Sequence, residues 1–527
     1  MLKEKSNRLI FIALLIFIAH LSLNTLFRSR AFVNWDGPQF AISTVNYSVQ
    51  EYFPGLPGHF LYVMAAKFLN FFFNERFLSL VSLSIIFSAL ISAGLFFIGS
   101  RIFSVKTGLL AALFYMSSPL FLFYGTTITP LMMSGFFSLL CGYCFYRVIY
   151  GRQYRYLIWG SVSYGILIGI RPQEILFIFP FWLWAFLKAD NKTKVLSFSS
   201  LSLIFLGWFM PFSYISGGLN ELILFFRKEI SSGATRLSAS VFTMPSLLKA
   251  NLKYQVYTYA ITFGPAVLAF FYYLPQFFCL KNICASRKAQ AFIVWIIPSL
   301  LFWSVYNFST PGYIIVSLLP MFILLAEFLV TISRELSDIL AVRWKYFSNK
   351  SAGIFIFMPI FLAVNLFVYF YDFNPAGKGT DYDSFRAYSD IRKRDTQILE
   401  KIRYIKENVP AENSIVVVSS SFFMPLMYYL PQYHVYLFNG VFFKGNNLVR
   451  YGHNFERRNF SDFNSKDLIR DKGIRKIVFF DDEFSRWVDT GAGKENIAIT
   501  GRYSLLVVSP ERDAQLIYGY KSIRIRE

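Results

Sequence analysis

Long apolar runs fill the first 372 residues of the chain and become rare after them. A run of about 20 apolar residues is long enough to cross the hydrocarbon layer of a bilayer as a helix. Such runs predict eleven membrane-spanning helices, several of them short, at residues 8–27, 77–99, 107–124, 127–149, 155–170, 173–188, 195–215, 254–279, 290–306, 311–332 and 352–371. No small-residue cleavage site follows the first run, so we expect an uncleaved first helix rather than a signal peptide.

After residue 372 the pattern changes to that of a small α/β domain. Residues 385–408 carry isoleucines at helical spacing, and Pro410 follows them. Short β-like runs come next, at residues 414–420, 434–438, 476–482 and 503–509. Alternating helix and buried-strand signals are typical of an α/β domain. We therefore predict two domains, a membrane domain at residues 1–372 and a soluble domain at residues 373–527.

Composition supports this division. Charged residues are only 16% of the chain, against roughly 25% in an ordinary soluble domain, and they are concentrated after residue 372. Aromatic residues make up 20%. A simple soluble protein, a disordered chain and a coiled coil are excluded, which leaves an α-helical multispanning membrane protein with a water-facing tail.

Basic residues predict the orientation, because loops rich in Lys and Arg stay in the cytoplasm. One side of the predicted topology collects the basic residues within 3–8, 101–106, 147–155, 188–194, 281–288 and 334–350. The short turns on the opposite side contain one basic residue, Arg171. We expect a multi-pass protein of the inner (plasma) membrane with a cytoplasmic N-terminus and an extracytoplasmic tail. The net charge of +21 is largely explained by orientation, so it does not indicate nucleic-acid binding.

Two long loops, at residues 28–76 and 216–253, lie outside in this topology. In the first, Gly37-Pro38 fixes a turn after Asp36 and holds its carboxylate near the membrane face. A carboxylate there can act as a general base toward an acceptor hydroxyl. Alternatively, it is a turn residue that hydrogen-bonds its own backbone. Residues 59–73 predict an amphipathic helix at the outer interface.

Other reactive residue types give weaker signals. Cys141 and Cys144 form a CxxC pair inside an apolar helix, where we expect plain packing rather than redox chemistry or metal binding. The four histidines are scattered, and no paired spacing of metal ligands appears.

These segments resemble polyprenyl-phosphate-dependent glycosyltransferases of the GT-C superfamily, in the protein-mannosyltransferase-like and RgtA/B/C/D-like branch. The resemblance lies in WDGPQFA (35–41), PGLPGHFLYV (54–63) and the segments 117–137, 169–186 and 427–438. It implies a GT-C-like membrane domain that transfers a sugar from a lipid-phosphate donor to an acceptor hydroxyl outside the cytoplasm, by an inverting mechanism.

The resemblance also implies roles for particular residues. Asp36 corresponds to the acid that deprotonates the acceptor, and Glu51 is the candidate second carboxylate, because Gly37 stands where many members have another acid. Arg171 would bind the donor phosphate, although an arginine in a short external turn can also extend to lipid headgroups. His59 would hydrogen-bond a phosphate or a sugar hydroxyl, or serve only as an amphipathic ring at the interface.

The predicted substrate-binding set is completed by Tyr124 and by Arg227, Lys228 and Arg236 of the second long loop, which can equally bind anionic headgroups. No cofactor is required, although a divalent cation held by Asp36, Glu51 and the donor phosphate is compatible with these residues. The expected partners are the lipid-linked donor, a glycan, lipid or protein acceptor, and membrane lipids.

Two other function classes stay open. A transporter or flippase of lipid-linked saccharides predicts paired hydropathy repeats and ionisable residues near mid-membrane, and neither is evident in the sequence. A non-catalytic scaffold would use the tail to bind a partner.

Overall fold

The computed structural model describes residues 2–51, 53–231, 240–266, 287–308, 310–343, 352–371, 385–418, 420–438, 448–450, 461–463, 467–469, 475–482, 488–489, 494–500, 503–509, 515–518 and 521–526. The chain divides into two compact units. The first comprises Met1–Arg28 and Leu56–Asp390, and the second comprises Ser29–Gly55 and Ile391–Glu527. The predicted domain boundary at residue 372/373 adjoins the segment 372–384, outside the described residues, and stays a prediction. The second unit also takes in part of the first predicted external loop.

Helices make up the described part of the first unit. They are α1 (Leu2–Phe27), α3 (Phe60–Phe73), α4 (Arg76–Ile102), α5 (Val105–Ser117), α6 (Pro119–Thr126), α7 (Leu131–Ile149), α8 (Arg155–Ile170), α9 (Ile175–Lys188), α10 (Asn191–Ile215), α11 (Leu219–Ser231), α12 (Leu247–Phe263), α13 (Arg287–Val305), α14 (Ile315–Arg343) and α15 (Ala352–Phe370). α2 (Asp36–Ser43) belongs to the second unit, and α16 (Tyr388–Asn408) begins in the first unit and continues into the second.

All eleven predicted spans coincide with helices, within the part of the chain that is described. Six helices there are long and apolar enough to cross a membrane, and the bent pair α5 and α6 would make a seventh. The other four predicted spans correspond to α8, α9, α12 and α15, which fall outside that set. The chain is thus a multi-pass membrane protein.

The span predicted at residues 107–124 is broken. α5 and α6 meet at an angle of 65°, and Pro119 is the first residue of α6. Proline has no backbone N–H and cannot continue the hydrogen bonds of the preceding helix, so the chain bends there although it stays apolar. Ser118, at the bend, donates its hydroxyl to the carbonyl oxygen of Thr262 at 2.7 Å.

Small residues let the helices of this unit approach closely. A Cβ added to Gly99 of α4 would lie 2.9 Å from the Cα of Gly108 in α5. A Cβ added to Gly108 would collide with the carbonyl oxygen of Phe96. Cys141 and Cys144 are buried free thiols in α7, which confirms the expectation that they pack as small apolar residues.

The predicted helix at residues 59–73 is confirmed as α3. Phe60, Tyr62, Val63 and Ala66 of its first half are buried. Toward its end, Phe68, Phe71 and Phe72 are exposed, Phe71 to 83%. Its placement at the membrane interface stays a prediction.

The second unit is an α/β domain, as predicted. Its described elements include α2, most of α16, α17 (Ser420–Tyr429) and eleven strands: β1 (Ser414–Val418), β2 (His434–Phe438), β3 (Leu448–Arg450), β4 (Ser461–Phe463), β5 (Asp467–Ile469), β6 (Lys476–Phe479), β7 (Val488–Asp489), β8 (Lys494–Thr500), β9 (Tyr503–Val508), β10 (Gln515–Tyr518) and β11 (Lys521–Arg526). The four predicted strand segments correspond to β1, β2, β6 and β9.

The strands form two sheets. A seven-stranded sheet has the order β4-β3-β2-β1-β6-β9-β8, and a four-stranded sheet has the order β5-β11-β10-β7. β1 lies parallel to both β2 and β6, which places buried strands at the centre of the larger sheet. The core over this sheet combines the isoleucines of α16 with α17 and the central strands, and it includes Ala31.

Next to that core, Lys401 of α16 is fully buried. Its ammonium group donates to the carbonyl oxygen of Phe480 at 2.5 Å and to Oδ1 of Asp482 at 2.9 Å. Asp482 also accepts from the backbone N–H of Ser504 at 2.7 Å. The buried cation therefore fixes the end of β6 against α16.

We expect Gly108→Ala to lower the thermal stability of the purified protein, because α4 and α5 must separate to make room for the methyl group; overpacking of this kind typically costs about 1–3 kcal/mol. Gly207→Ala in α10 is the control: nothing lies within 4 Å of its added Cβ. Exchanging an exposed helical glycine for alanine stabilises by roughly 0.5–1 kcal/mol. Equal melting temperatures in detergent for the two variants would contradict the close packing.

Candidate functional site

Asp36 is the first residue of α2, in the second unit. Its side chain is exposed, whereas Gly37 through Ser43 are all buried. A carboxylate at this end of a helix is favoured by the partial positive charge of the free backbone N–H groups. Pro38 is tolerated in the first turn because its missing N–H would have no partner inside the helix. The body of α2 is therefore packed in the interior of the unit, while the carboxylate at its first residue, Asp36, is exposed to solvent.

Gly37 has no room for a side chain. A Cβ there would lie 2.8 Å from Cδ1 of Phe32 and 3.0 Å from Oδ1 of Asn34. Phe32 is fully buried, so its ring cannot easily move aside. The backbone N–H of Gly37 also donates to Oδ1 of Asn34 at 3.1 Å. A second acid directly after Asp36 is thus excluded by packing.

Glu51 lies in the same unit as Asp36, in a tight turn. Ser48 and Phe53 close this turn through reciprocal backbone hydrogen bonds of 2.6 and 2.8 Å. Within the part of the chain that is described, the buried Oε2 atom of Glu51 has no hydrogen-bond partner. After the turn, the backbone N–H of Gly55 donates to Oε1 of Gln39 in α2 at 3.1 Å, so the turn is tied to the helix that Asp36 begins.

His59 belongs to the first unit and precedes α3 in a left-handed conformation, with φ 44°. Its Nδ1 lies 2.9 Å from the carbonyl oxygen of Ile170. Because a carbonyl oxygen only accepts, Nδ1 carries the proton and Nε2 is the acceptor nitrogen of the neutral ring. Burial and the charge of Arg171 lower the pKa of His59 to about 4, against the opposing effect of the bond to Ile170.

Arg171 follows Ile170 directly, between α8 and α9, and is only 2% exposed. Its Nη1 donates to Oε1 of Glu174 at 2.5 Å, and Glu174 is fully buried. With the amide of Gln173 turned so that its oxygen faces the guanidinium, that oxygen accepts from Nε at 3.1 Å and Nη2 at 3.0 Å. An arginine that extended to lipid headgroups would expose its guanidinium, so that alternative does not fit the structure.

Tyr313 completes the surroundings of this arginine. The guanidinium carbon of Arg171 lies 6.0 Å from the centre of the Tyr313 ring, within reach of a cation–π interaction. Tyr313 belongs to a short 3-10 turn, Pro311–Ile314, whose Gly312 donates its backbone N–H to the hydroxyl of Tyr124 at 2.9 Å. Buried Tyr124 therefore holds the turn that carries Tyr313.

The structure thus brings His59, Arg171 and the turn held by Tyr124 together in the first unit. Asp36 and Glu51 share the second unit. Arg227 and Lys228 are exposed on α11. Arg236 lies outside the described residues.

The sequence interpretation missed Glu174 and Tyr313. Glu174 was detectable in principle, because an acid three residues after Arg171 can reach it across one helical turn. Among the described residues, no group of three or more His, Cys, Asp or Glu side chains is arranged to hold a metal ion.

Comparison with protein families supports the resemblance noted in the sequence. A family model described as dolichyl-phosphate-mannose-protein mannosyltransferase matches residues 60–215. No curated protein sequence matches the chain.

Solved structures match most of the chain. ArnT from Cupriavidus metallidurans bound to undecaprenyl phosphate is 11% identical with a TM-score of 0.57, and the match covers 97% of this chain and 100% of that one. An oligosaccharyltransferase from Archaeoglobus fulgidus in complex with Zn and sulfate is 14% identical with a TM-score of 0.50, covering 94% of this chain and 72% of that one.

At identities this low, the structural matches establish the fold and nothing beyond it. The chain has the GT-C membrane fold with a C-terminal α/β region, which confirms the fold class expected from the sequence. The matched family and the oligosaccharyltransferase are both named for sugar transfer.

The neutral state of His59 has a consequence for stability. Its pKa is about 4 in the folded chain and 6.5 in a free histidine, so folding favours the neutral ring. This contribution is fully present above pH 6.5 and is lost as the pH falls toward 4. We expect the fall in melting temperature between pH 7.5 and pH 4.5 to be smaller for His59→Asn, which tolerates the left-handed backbone, than for the wild type. Equal falls in the two proteins would contradict a ring that folding keeps neutral.

Proposed function

We propose that this membrane protein is a glycosyltransferase that takes a sugar from a polyprenyl-phosphate donor and transfers it, with inversion, to an acceptor hydroxyl on the extracytoplasmic face. The main observation in support is the exposed carboxylate of Asp36, held at the start of a helix whose other residues are buried. The proposal also draws on the similarity in fold to a protein crystallised with undecaprenyl phosphate.

In this proposal Asp36 is the general base. Its carboxylate accepts the proton of the acceptor hydroxyl while the hydroxyl oxygen attacks the anomeric carbon of the donor sugar. The bond between that carbon and the phosphate oxygen breaks, and the lipid phosphate leaves with the bonding electron pair. Attack opposite the leaving group inverts the configuration. Glu51, whose buried Oε2 has no partner among the described residues, is the candidate second carboxylate near the acceptor.

Arg171 is proposed to stabilise the phosphate that leaves. A cation that is fixed before the reaction and removed from water interacts strongly with a developing negative charge. The hydrogen bonds to Glu174 and Gln173 occupy three of the five N–H groups of the guanidinium. Glu174 pairs with the guanidinium, and this pairing offsets part of the free-energy cost of burying a charged arginine when no lipid is bound.

His59 is proposed to contact the donor sugar. With its Nδ1 proton committed to Ile170, the ring offers an acceptor nitrogen, which suits a sugar hydroxyl better than a phosphate. Arg227, Lys228 and Arg236 are proposed to attract the anionic donor or its membrane surroundings. The reaction needs no cofactor, and a divalent cation bridging Asp36, Glu51 and the phosphate would be an addition to this scheme. The acceptor is a glycan, a lipid or a protein.

We expect Asp36→Asn to reduce sugar transfer from a lipid-linked donor by about 100-fold or more, because general-base catalysis typically contributes 10²- to 10⁴-fold. Glu51→Gln, in the same unit, is the matched comparison and should reduce sugar transfer by a smaller factor. Transfer is measured with purified protein in detergent. Full activity in Asp36→Asn would show that Asp36 is not the general base.

We expect Glu174→Gln to lower the melting temperature of the protein without lipid, and to increase the rise in melting temperature that lipid phosphate produces. Breaking a buried ion pair costs about 3–5 kcal/mol, because the remaining charge stays buried. A bound phosphate would supply the missing negative charge, so undecaprenyl phosphate should raise the melting temperature of Glu174→Gln more than that of the wild type.

The control for this experiment is Asp190→Ala, which removes the side chain that accepts the backbone N–H of Thr193 at the start of α10. It should lower stability without changing the response to lipid phosphate. If undecaprenyl phosphate stabilised Glu174→Gln and the wild type equally, Arg171 would not be a phosphate ligand.

A further inference from the structure

One carboxylate of α16 accepts hydrogen bonds from two adjacent backbone N–H groups in the segment that leads to Asp36. Asp395 of α16 accepts the backbone N–H of Arg30 through Oδ2 at 2.8 Å and that of Ala31 through Oδ1 at 2.9 Å. These partners lie more than 360 residues apart in the chain. Arg392, one turn earlier in α16, adds an ion pair of 3.3 Å to Oδ2. Both carboxylate oxygens are thus used, and Asp395 is only 2% exposed.

Apolar contacts continue this attachment toward α2. Ala31 is part of the core of the C-terminal domain, together with residues of α16, α17 and the central strands. The ring of Phe32 meets Tyr428 edge-on at 4.9 Å and Tyr429 at 5.5 Å. The ring of Trp35 lies 6.0 Å from that of Phe423. The chain is therefore held from Arg30 up to the residue that immediately precedes Asp36.

We infer that Asp395 is a positioning residue for Asp36, and that the C-terminal domain acts in sugar transfer by fixing the base-bearing loop. The inference rests on the proposed function of Asp36. It assigns to the domain a role in the rate of the chemical step, whereas acceptor recognition alone would affect only binding.

The burial of Asp395 disfavours the charged form of its carboxyl group. Desolvation raises the pKa of its carboxyl to about 6, although the N–H groups of Arg30 and Ala31 and the charges of Arg392 and Arg30 act in the opposite direction. A carboxylate suits this position because each of its two oxygens accepts one of two adjacent backbone N–H groups. An amide at this position would turn its NH₂ group toward one of them.

We expect Asp395→Asn to lower kcat by roughly 10- to 100-fold, the size of effect produced when a catalytic group is misplaced by about 1 Å. The KM for the lipid-linked donor should stay unchanged, because the donor-binding residues belong to the first unit. Asp395→Glu keeps two carboxylate oxygens and should recover part of the lost kcat. Glu407→Gln, an exposed acid near the end of the same helix, is the control and should behave as the wild type.

A second measurement follows the loop itself. In the wild type, the Arg30–Ala31 bond is held against Asp395, so trypsin should cut the detergent-solubilised protein slowly there. In Asp395→Asn we expect a new fragment that begins at Ala31, produced at least about tenfold faster, since a buried N–H without an acceptor destabilises the docked loop. Tyr428→Leu removes a contact to Phe32 from a partly exposed position, and it provides the same test if Asp395→Asn does not fold.

The outcomes separate the two proposals. If Asp36→Asn is inactive while Asp395→Asn keeps both a wild-type kcat and a protected Arg30–Ala31 bond, the positioning role is wrong and the proposed base stands. If Asp36→Asn is fully active, the proposed function of Asp36 fails, and the trypsin measurement alone decides whether Asp395 holds the loop. Cleavage without any change in kcat would also overturn the positioning role.

Discussion

The buried ion pair between Arg171 and Glu174 shows the constraint under which this chain is built: charge can be taken out of water only when it is matched. An unpaired guanidinium would cost several kcal/mol in an apolar interior. Pairing lets the helical unit keep a positive charge in the turn between α8 and α9. The same rule operates in the second unit, where Lys401 is matched by Asp482 and Asp395 by two backbone N–H groups and Arg392.

Most of the helical architecture could be predicted from the sequence, because a helix that faces lipid must be apolar along its whole length. Each of the eleven apolar runs coincides with a helix in the described part of the chain. The bend at Ser118 and Pro119 was not anticipated, since the chain remains apolar through it. In the C-terminal α/β region the strands β1, β2, β6 and β9 could be recognised, because each is a run of mainly apolar residues. Strands of two or three residues, such as β3 to β5 and β7, are too short to show an alternating pattern.

The candidate site was predictable only in part. Asp36, His59 and Arg171 stand out because they are polar residues beside motifs in loops between apolar runs. Their partners do not, because the contacts depend on how distant segments meet. Arg171 lies near the ring of Tyr313, which follows it by more than 140 positions in the sequence. Tyr313 belongs to a turn that is hydrogen-bonded to Tyr124. No local pattern relates Asp395 to Arg30.

The joining of residues 29–55 with residues 391–527 in one compact unit also limits how the chain can thread the membrane. A folded domain with a water-facing surface lies on one side of a bilayer, so both of its segments must be delivered to that side. The chain between them must then cross the membrane an even number of times. Ten of the eleven predicted spans fall in that interval, so the parity agrees with the positive-inside count, although it comes from an independent feature. During synthesis, the loop bearing Asp36 would leave the membrane long before its structural partner exists, and it could reach its final conformation only after the last crossing is complete.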